Sequence, residues 1–258
     1  IRVGCESHFI GADDPDTLTF SKIRKTMNEL HLFAGAGGGI LASELLGFNT
    51  VCAVERDEYC QHVLVQRQND GVLPCFPIWD DVCTFRGEPW RGTVDLVSGG
   101  FPCQAFSSAA RGGNIASKDL WPEMRRIVRE VCPKLVFAEN VSEQAILEAQ
   151  TDLLEDGYNS INIKMSAGEL GADHLRERFW LLAYTDMYSQ LCRREYAETQ
   201  NMPQLYGGVW QTIPDQLRAS DGVAYRMDRL RAVGNGQVPL VAAMAFLTLY
   251  MKAFWEGE

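Results

Sequence analysis

The feature that most limits how this chain can fold is an alternation. Between residues 29 and 184, short apolar runs take turns with segments of helical spacing. Leu30 to Phe33 is the first run, and it opens into Ala34-Gly35-Ala36-Gly37-Gly38-Gly39. Ile40 to Leu46 then has helical spacing and stops at Gly47; Thr50 to Val54 is a second strand and Glu58 to Gln68 a second helix. Strand, glycine turn, helix and strand make a βαβ unit. The pattern continues through Val94–Val97, a helix over Leu120–Val131 stopped by Pro133, and a strand over Leu135–Ala138. A helix over Ile146–Leu154 and strands over Ile161–Met165 and Phe179–Ala183 complete it. Met124, Ile127, Val128 and Val131 share one side of their helix, and proline cannot continue it. Such an order predicts an α/β fold, a doubly wound and mostly parallel sheet covered on both faces. Ligands of these sheets bind beyond the carboxyl ends of the strands, so chemistry is expected just after each apolar run.

The rest of the chain breaks the pattern. Residues 1–28 are polar and read as an extension, 29–184 as the catalytic and cofactor-binding domain, and 185–226 as a small irregular insert carrying Pro203, Gly207, Gly208 and Pro214. Residues 227–258 return to the domain, with an apolar helix over Leu240–Trp255. No run approaches the roughly 18 apolar residues of a membrane span, and no basic-then-apolar secretion pattern opens the chain. The eight cysteines form no Cys-x-x-Cys pair and there are only four His, which argues against a zinc cage and for thiols in a reducing, cytoplasmic compartment. The formal net charge of −10 does not favour a polyanionic partner, since nucleic-acid binding leaves a basic footprint. The charge is uneven, however: residues 174–231 hold eight Arg against seven acids, +1, leaving −11 for the remainder.

Several residues stand where the fold places ligands. The glycine turn lets a backbone approach a nucleotide-like cofactor, although such a cluster alone is equally a tight turn. Glu55, ending the second strand, suits a pair of ribose hydroxyls. Asp81 suits an adenine amino group, or serves only as a helix cap. Cys103, in Gly99-Gly100-Phe101-Pro102-Cys103-Gln104, is an accessible thiol in a shaped loop, or else a buried structural one. Glu139, in Glu139-Asn140-Val141, ends an apolar strand, where partial desolvation raises a carboxyl pKa and fits it to donate a proton; Asn140 and Ser142 are alternative helix caps. Arg176-Glu177-Arg178 is either a surface ion-pair ladder or an anchor for a phosphate or base carbonyl.

Taken together and in order, these motifs resemble those of the cytosine-5 DNA methyltransferases. Phe33-Ala34-Gly35-Ala36-Gly37-Gly38 resembles the cofactor loop of that family, Gly100-Phe101-Pro102-Cys103-Gln104 its nucleophile loop, and Glu139-Asn140-Val141 its acid motif. Arg176-Glu177-Arg178 resembles its base-contacting motif, and Gly234-Asn235-Gly236-Gln237-Val238-Pro239 the late motif that returns to the cofactor. The likeness covers residues 29–184 and 226–254. Two departures stand out. Gly171-Ala172-Asp173-His174 replaces the family's usual Gly-Ile-Pro-Gln, and the recognition segment is short, as in compact phage and prophage members.

The resemblance implies the S-adenosylmethionine-dependent methyltransferase type of fold. It implies transfer of a methyl group from S-adenosyl-L-methionine, leaving S-adenosyl-L-homocysteine, to C5 of a flipped-out cytosine. Cys103 is then the nucleophile, Glu139 the acid, and Arg178, supported by Arg176, the holder of the base. Phe33, Ala34, Gly35, Gly37, Glu55, Arg56, Asp81, Val82, Pro102, Leu120, Asn235 and Gly236 are the expected cofactor residues. Gln104, Ser107, Arg193, Arg194, Arg218, Arg226 and Arg229 are the expected contacts to double-stranded DNA. The protein is expected to work as a monomer without metal, in a bacterial or phage-infected cell, in restriction-modification or phage DNA methylation. Rival readings are an RNA cytosine-5 methyltransferase with the same active site, a catalytically weak paralogue needing a partner, and an NAD-binding oxidoreductase. The last leaves Pro-Cys-Gln and Glu-Asn-Val unexplained.

Overall fold

The computed structural model describes residues 26–102, 120–199 and 236–255. Cys103, Gln104, Ser107, Arg218, Arg226, Arg229 and Asn235 lie outside the described residues, as does most of the expected N-terminal extension.

Seven strands form one sheet: β1 (Asn28–Leu32), β2 (Asn49–Val54), β3 (Ile78–Trp79), β4 (Leu96–Gly100), β5 (Leu135–Asn140), β6 (Asn159–Ser166) and β7 (Glu177–Tyr184). Their spatial order is β3-β2-β1-β4-β5-β7-β6. The first five pair in parallel, and β7 enters antiparallel between β5 and β6. The sheet is therefore mostly parallel, as the alternation predicts. The order reverses between β1 and β4, the crevice where doubly wound sheets bind ligands. β4 lies two residues further along than its apolar run suggests, because Gly99 and Gly100 are paired by β1 and β5 and continue the ladder.

Helices α1 (Gly38–Leu45), α2 (Glu58–Asn69), α3 (Trp121–Val131), α4 (Glu143–Glu155), α5 (Asp186–Thr199) and α6 (Pro239–Phe254) complete the layers. The Asp57 side chain caps α2 by accepting the Cys60 amide at 3.0 Å, and Ser142 caps α4. Cys132 ends α3 in a left-handed conformation, just before Pro133. On one face of the sheet, Met124, Ile127 and Val128 of α3 and Ile146 and Leu153 of α4 pack on Leu30, Leu32, Val97 and Val136. On the other, Val241, Phe246 and Leu249 of α6 pack on Leu96, Leu135, Phe137 and Trp180. Alternate strand residues thus feed two cores, as a sheet covered on both sides requires.

One expectation is corrected. Residues 186–199, read as irregular, form the 14-residue helix α5. Tyr188 and Cys192, one helical turn apart, are buried and meet the Tyr250 hydroxyl at 3.4 and 3.1 Å. A polar composition masked this narrow apolar stripe, and the Pro and Gly residues that suggested irregularity all lie beyond Thr199. Through Cys192 this stretch belongs to the core that α6 forms with the sheet. No helix among the described residues is long and apolar enough to cross a membrane.

Candidate active site

The loop leaving β1 is held from three sides. Phe33, Gly35 and Gly37 have φ of 54°, 54° and 88°, a region that a residue with a side chain enters only at a cost. The Gly35 amide donates to Glu55 Oε2 at 2.6 Å, and the Asp57 amide donates to Glu55 Oε1 at 2.7 Å. Arg67 of α2 donates to the Ala36 carbonyl at 2.6 Å. Burial raises the Glu55 pKa, against the opposing pull of those amides. A Cβ on Gly35 would meet nothing within 4 Å, so the loop borders open space beside a carboxylate at the end of β2. That combination fits a ligand with hydroxyls to donate. Arg56 is exposed and Val82 buried. Asp81 accepts the Cys83 amide at 2.9 Å and so caps a turn, with no helix directly following it.

At the neighbouring strand end, the Phe101 carbonyl accepts from Asn140 Nδ2 at 2.8 Å. Asn140 is buried, and its amide ties the end of β5 to the residues leading to Cys103; the cap of α4 is Ser142 instead. The Leu120 amide meets the Pro102 carbonyl at 3.4 Å. Both ends of the segment carrying Cys103 are thereby fixed together beyond β4.

Glu139 lies beside Gly100 in the β4/β5 register. A Cβ at Gly100 would sit 2.5 Å from Glu139 Oε2, so glycine leaves the room this carboxyl fills. Glu139 is only 6% exposed, and its Oε1 is 2.9 Å from Arg178 Nε. Burial pushes its pKa up; Arg178, Arg176 and a hydrogen bond from Gln237 oppose this without cancelling it. The carboxyl thus keeps its proton to higher pH than an ordinary glutamate. Arg176, at φ 38°, donates to the Gly236 carbonyl. The departure at Gly171–His174 does not prevent both arginines from reaching the site.

Gln237 is the residue that the sequence-based assignment missed, although it lies in the quoted late motif. A Cβ on Gly38 would fall 2.1 Å from the Gln237 carbonyl oxygen, and one on Gly39 2.3 Å from its Oε1. Those two glycines let the late motif cross the start of α1. Beneath them is a second polar group that sequence reasoning passed over. Glu29, His31 and Ser98 are buried. Ser98 Oγ donates to Glu29 Oε1 at 2.5 Å and Thr50 Oγ1 to Glu29 Oε2 at 3.0 Å. His31 Nδ1 is 2.7 Å from Ser98 Oγ; because the one Ser98 proton goes to Glu29, Nδ1 is the donor there. Arg193 and Arg194 are exposed on α5. Among the described residues no cluster could hold a metal ion. A larger cleft of about 580 Å³ on the outer side of α3 contains none of the candidate residues.

This placement, a glycine loop and acid at β1 and β2 and a buried Glu–Arg pair at β5 and β7, can be compared with known proteins. The model of C-5 cytosine-specific DNA methylases matches residues 27–229. The chain belongs to this family. Among family relatives, the type II methyltransferase M.PspPI of Psychrobacter sp. is 33% identical over 220 residues, covering 80% of this chain and 49% of the relative. The type II methyltransferase M.HhaI of Haemophilus parahaemolyticus is 33% identical over 164 residues, covering 60% of this chain and 48% of the relative. The chain spans about half the length of these relatives. A solved structure described as a DNA modification methyltransferase encoded within an E. coli prophage superposes with a TM-score of 0.51 at 25% identity, covering 63% and 48% of the two chains. S. pombe Dnmt2 shares the fold, with a TM-score of 0.52 at 20% identity over 63% and 50%.

Proposed function

We propose that this chain methylates C5 of cytosine in DNA, with S-adenosyl-L-methionine as methyl donor. The observation that carries the reading is Glu139. It is a buried carboxyl with a raised pKa, paired with Arg178, at the strand end beside the one that leads through Phe101-Pro102 to Cys103. Phe33, Ala34, Gly35 and Gly37 would cradle the donor, and Glu55 would accept its ribose hydroxyls. Arg56, Asp81, Val82, Pro102, Leu120, Asn235 and Gly236 would line the remainder. When bound, the donor supplies a sulfonium-activated methyl group.

The chain's own residues do the rest. The Cys103 thiolate adds to C6 of the flipped-out base while Glu139 gives its proton to N3. The ring becomes an enamine whose C5 is nucleophilic and takes the methyl group. Arg178 holds the carbonyl O2, and Arg176, tied to Gly236, braces the late motif against the same centre. Loss of the C5 proton to solvent water then expels the thiolate from C6, and N3 returns its proton to Glu139. Flipping the base costs a few kcal/mol, which Gln104 and Ser107 would offset by contacts beside the vacated space. Arg193, Arg194, Arg218, Arg226 and Arg229 would hold phosphates, which position DNA without reading it.

The test is transfer of labelled methyl to duplex DNA, with transfer RNA in parallel, followed by DNA containing 5-fluorocytosine. Fluorine cannot leave as a proton, so a denaturation-resistant protein–DNA adduct is expected. Methylation of ordinary DNA without an adduct on the fluorinated strand would refute the covalent route. Labelling of RNA alone would transfer the reading to the RNA enzymes.

A further inference from the structure

Trp180 is 1% exposed and faces Glu139 across the β5/β7 pair. Its ring is stacked on Phe137, with centroids 5.3 Å apart and planes 15° apart. Among the described residues, its indole Nε1–H finds no hydrogen-bond partner. A buried donor without a partner is costly, and phenylalanine would stack equally well without it. Trp180 also lines a small cavity with Glu139, Arg176, Arg178, Gln237, Val238 and Val241. The cavity gives about 10 Å³ of room to the centre of a water molecule, close to the least that one ordered water needs. A water also needs two to four polar partners; the indole N–H, the Glu139 carboxyl and the Gln237 amide provide them. The arginines exclude a cation, and the space beside a carboxylate is too small for a phosphate.

We propose that this cavity binds one structural water, which accepts the Trp180 Nε1–H and donates to Glu139, making Trp180 a positioning residue for the acid. The water site follows from the cavity and the indole alone; its effect on chemistry rests on the proposed role of Glu139. Accepting the indole hydrogen bond leaves the water both of its own protons to donate. The Glu139 carboxyl in the lining accepts one of them. A hydrogen bond donated to Glu139 favours the carboxylate, acting with Arg178 and Arg176 against burial. Among the described residues these arginines are the charged groups facing Glu139 in the cavity. Gly100 on β4 and Val238 and Val241 at the start of α6 bring no charge.

Two variants and two readouts test this. Trp180→Phe keeps the ring and deletes the donor; Val241→Leu fills the cavity and leaves the donor in place. A crystal structure of the wild-type protein at about 1.5 Å should show a water at 2.7–3.2 Å from Trp180 Nε1, within hydrogen-bonding reach of Glu139, and both variants should lack it. Loss of one hydrogen bond of ordinary strength should move the alkaline limb of the methyl-transfer rate upward by about 0.5–1 pH unit in both. A wild-type Trp180 Nε1 with no water beside it, or bonded to a protein atom, overturns the site. An alkaline limb that stays in place when the water is gone overturns the positioning role. If the wild-type protein methylates no cytosine substrate, the reading of Glu139 fails, and the crystal structure still decides the water.

Discussion

The buried group under the glycine loop permits a quantitative test that needs no assay of methyl transfer. Glu29 is 1% exposed, and its carboxylate is held by Ser98 at 2.5 Å, Thr50 at 3.0 Å and His31 at 3.3 Å. Burial pushes its pKa up, but the hydrogen bond and field of His31, then Ser98 and Ser43, outweigh that and leave it lowered. His31→Leu preserves much of the volume and removes the partner that does most to offset burial. Stripping one partner from a buried charge costs about 3–5 kcal/mol, a large share of the roughly 5–15 kcal/mol that a domain has in total. Glu29→Gln in the same chain removes the charge and should restore part of the loss, giving a coupling energy of about 1.5 kcal/mol or more. Urea unfolding followed by circular dichroism at pH 7.5 measures all four corners of the cycle. The pH dependence has a definite sign. A carboxyl with a lowered folded-state pKa contributes stability above its unfolded value, about 4.3, and loses it as pH falls through the folded value. The gap between wild type and His31→Leu should therefore close on acidification. A His31→Leu cost below about 1 kcal/mol at pH 7.5, or no coupling to Glu29, would refute the reasoning.

Further outcomes are expected. Glu139→Gln should slow methyl transfer about 10²–10⁴-fold, the usual share of general acid catalysis; single-turnover rates check it, and a loss under about threefold would mean another group activates the ring. In the wild type the raised Glu139 pKa places that proton's loss, and the fall in rate, at higher pH than for an ordinary glutamate. Cys103→Ser should abolish transfer yet leave the affinity for S-adenosylmethionine nearly intact by calorimetry. Affinity for duplex DNA should fall steeply with salt, and methylome sequencing of expressing cells should reveal a short or degenerate site of about two to four base pairs, because so short an insert offers a small reading surface; one strict six-base-pair site would contradict this.

How legible all this was in the sequence depended on the kind of signal. Strand and helix periodicity located nearly every element, since the central strands β1, β4 and β5 bury both faces and helices such as α3 turn one apolar stripe to the sheet. Glycines spoke through their place after a strand. Glu139 and Arg178 were legible as residues but not as a pair: nothing local says that β7 runs antiparallel beside β5 and brings Arg178 Nε within 2.9 Å of the carboxyl. Gln237 and Asn140 were hidden for a related reason. Each acts across a long sequence separation, Asn140 on the Phe101 carbonyl and Gln237 against Gly38, Gly39 and Glu139. His31 and Glu29 belong to none of the motifs read from the sequence; only the register that puts Ser98 next to His31 turns them into a satisfied network. Helix α5 was missed because Tyr188 and Cys192, its buried apolar side chains among the described residues, stand in an otherwise polar stretch and leave little periodic signal.

The same long-range contacts explain how residues 200–235 are joined to the candidate site. The stretch between Thr199 and Gly236 leaves from α5 and returns into the late motif. At the departing end, Tyr188 and Cys192 fasten α5 to Tyr250 of α6. At the returning end, Arg176 holds the Gly236 carbonyl, and the Gln237 backbone lies against Gly38 so closely that a single added carbon would clash. Neither anchor uses a residue of the stretch between them. Length and sequence there can change at a loop-closure cost that grows only slowly with length, while Glu139, Arg178 and the glycine loop keep their places. A substitution at an anchor has the opposite character. Gly38→Ala would push the Gln237 carbonyl, sited 2.1 Å from the new carbon, and with it the donor to Glu139. On the proposed function, a change of recognition sequence would fall where the chain leaves the core, and a loss of methyl transfer where it comes back.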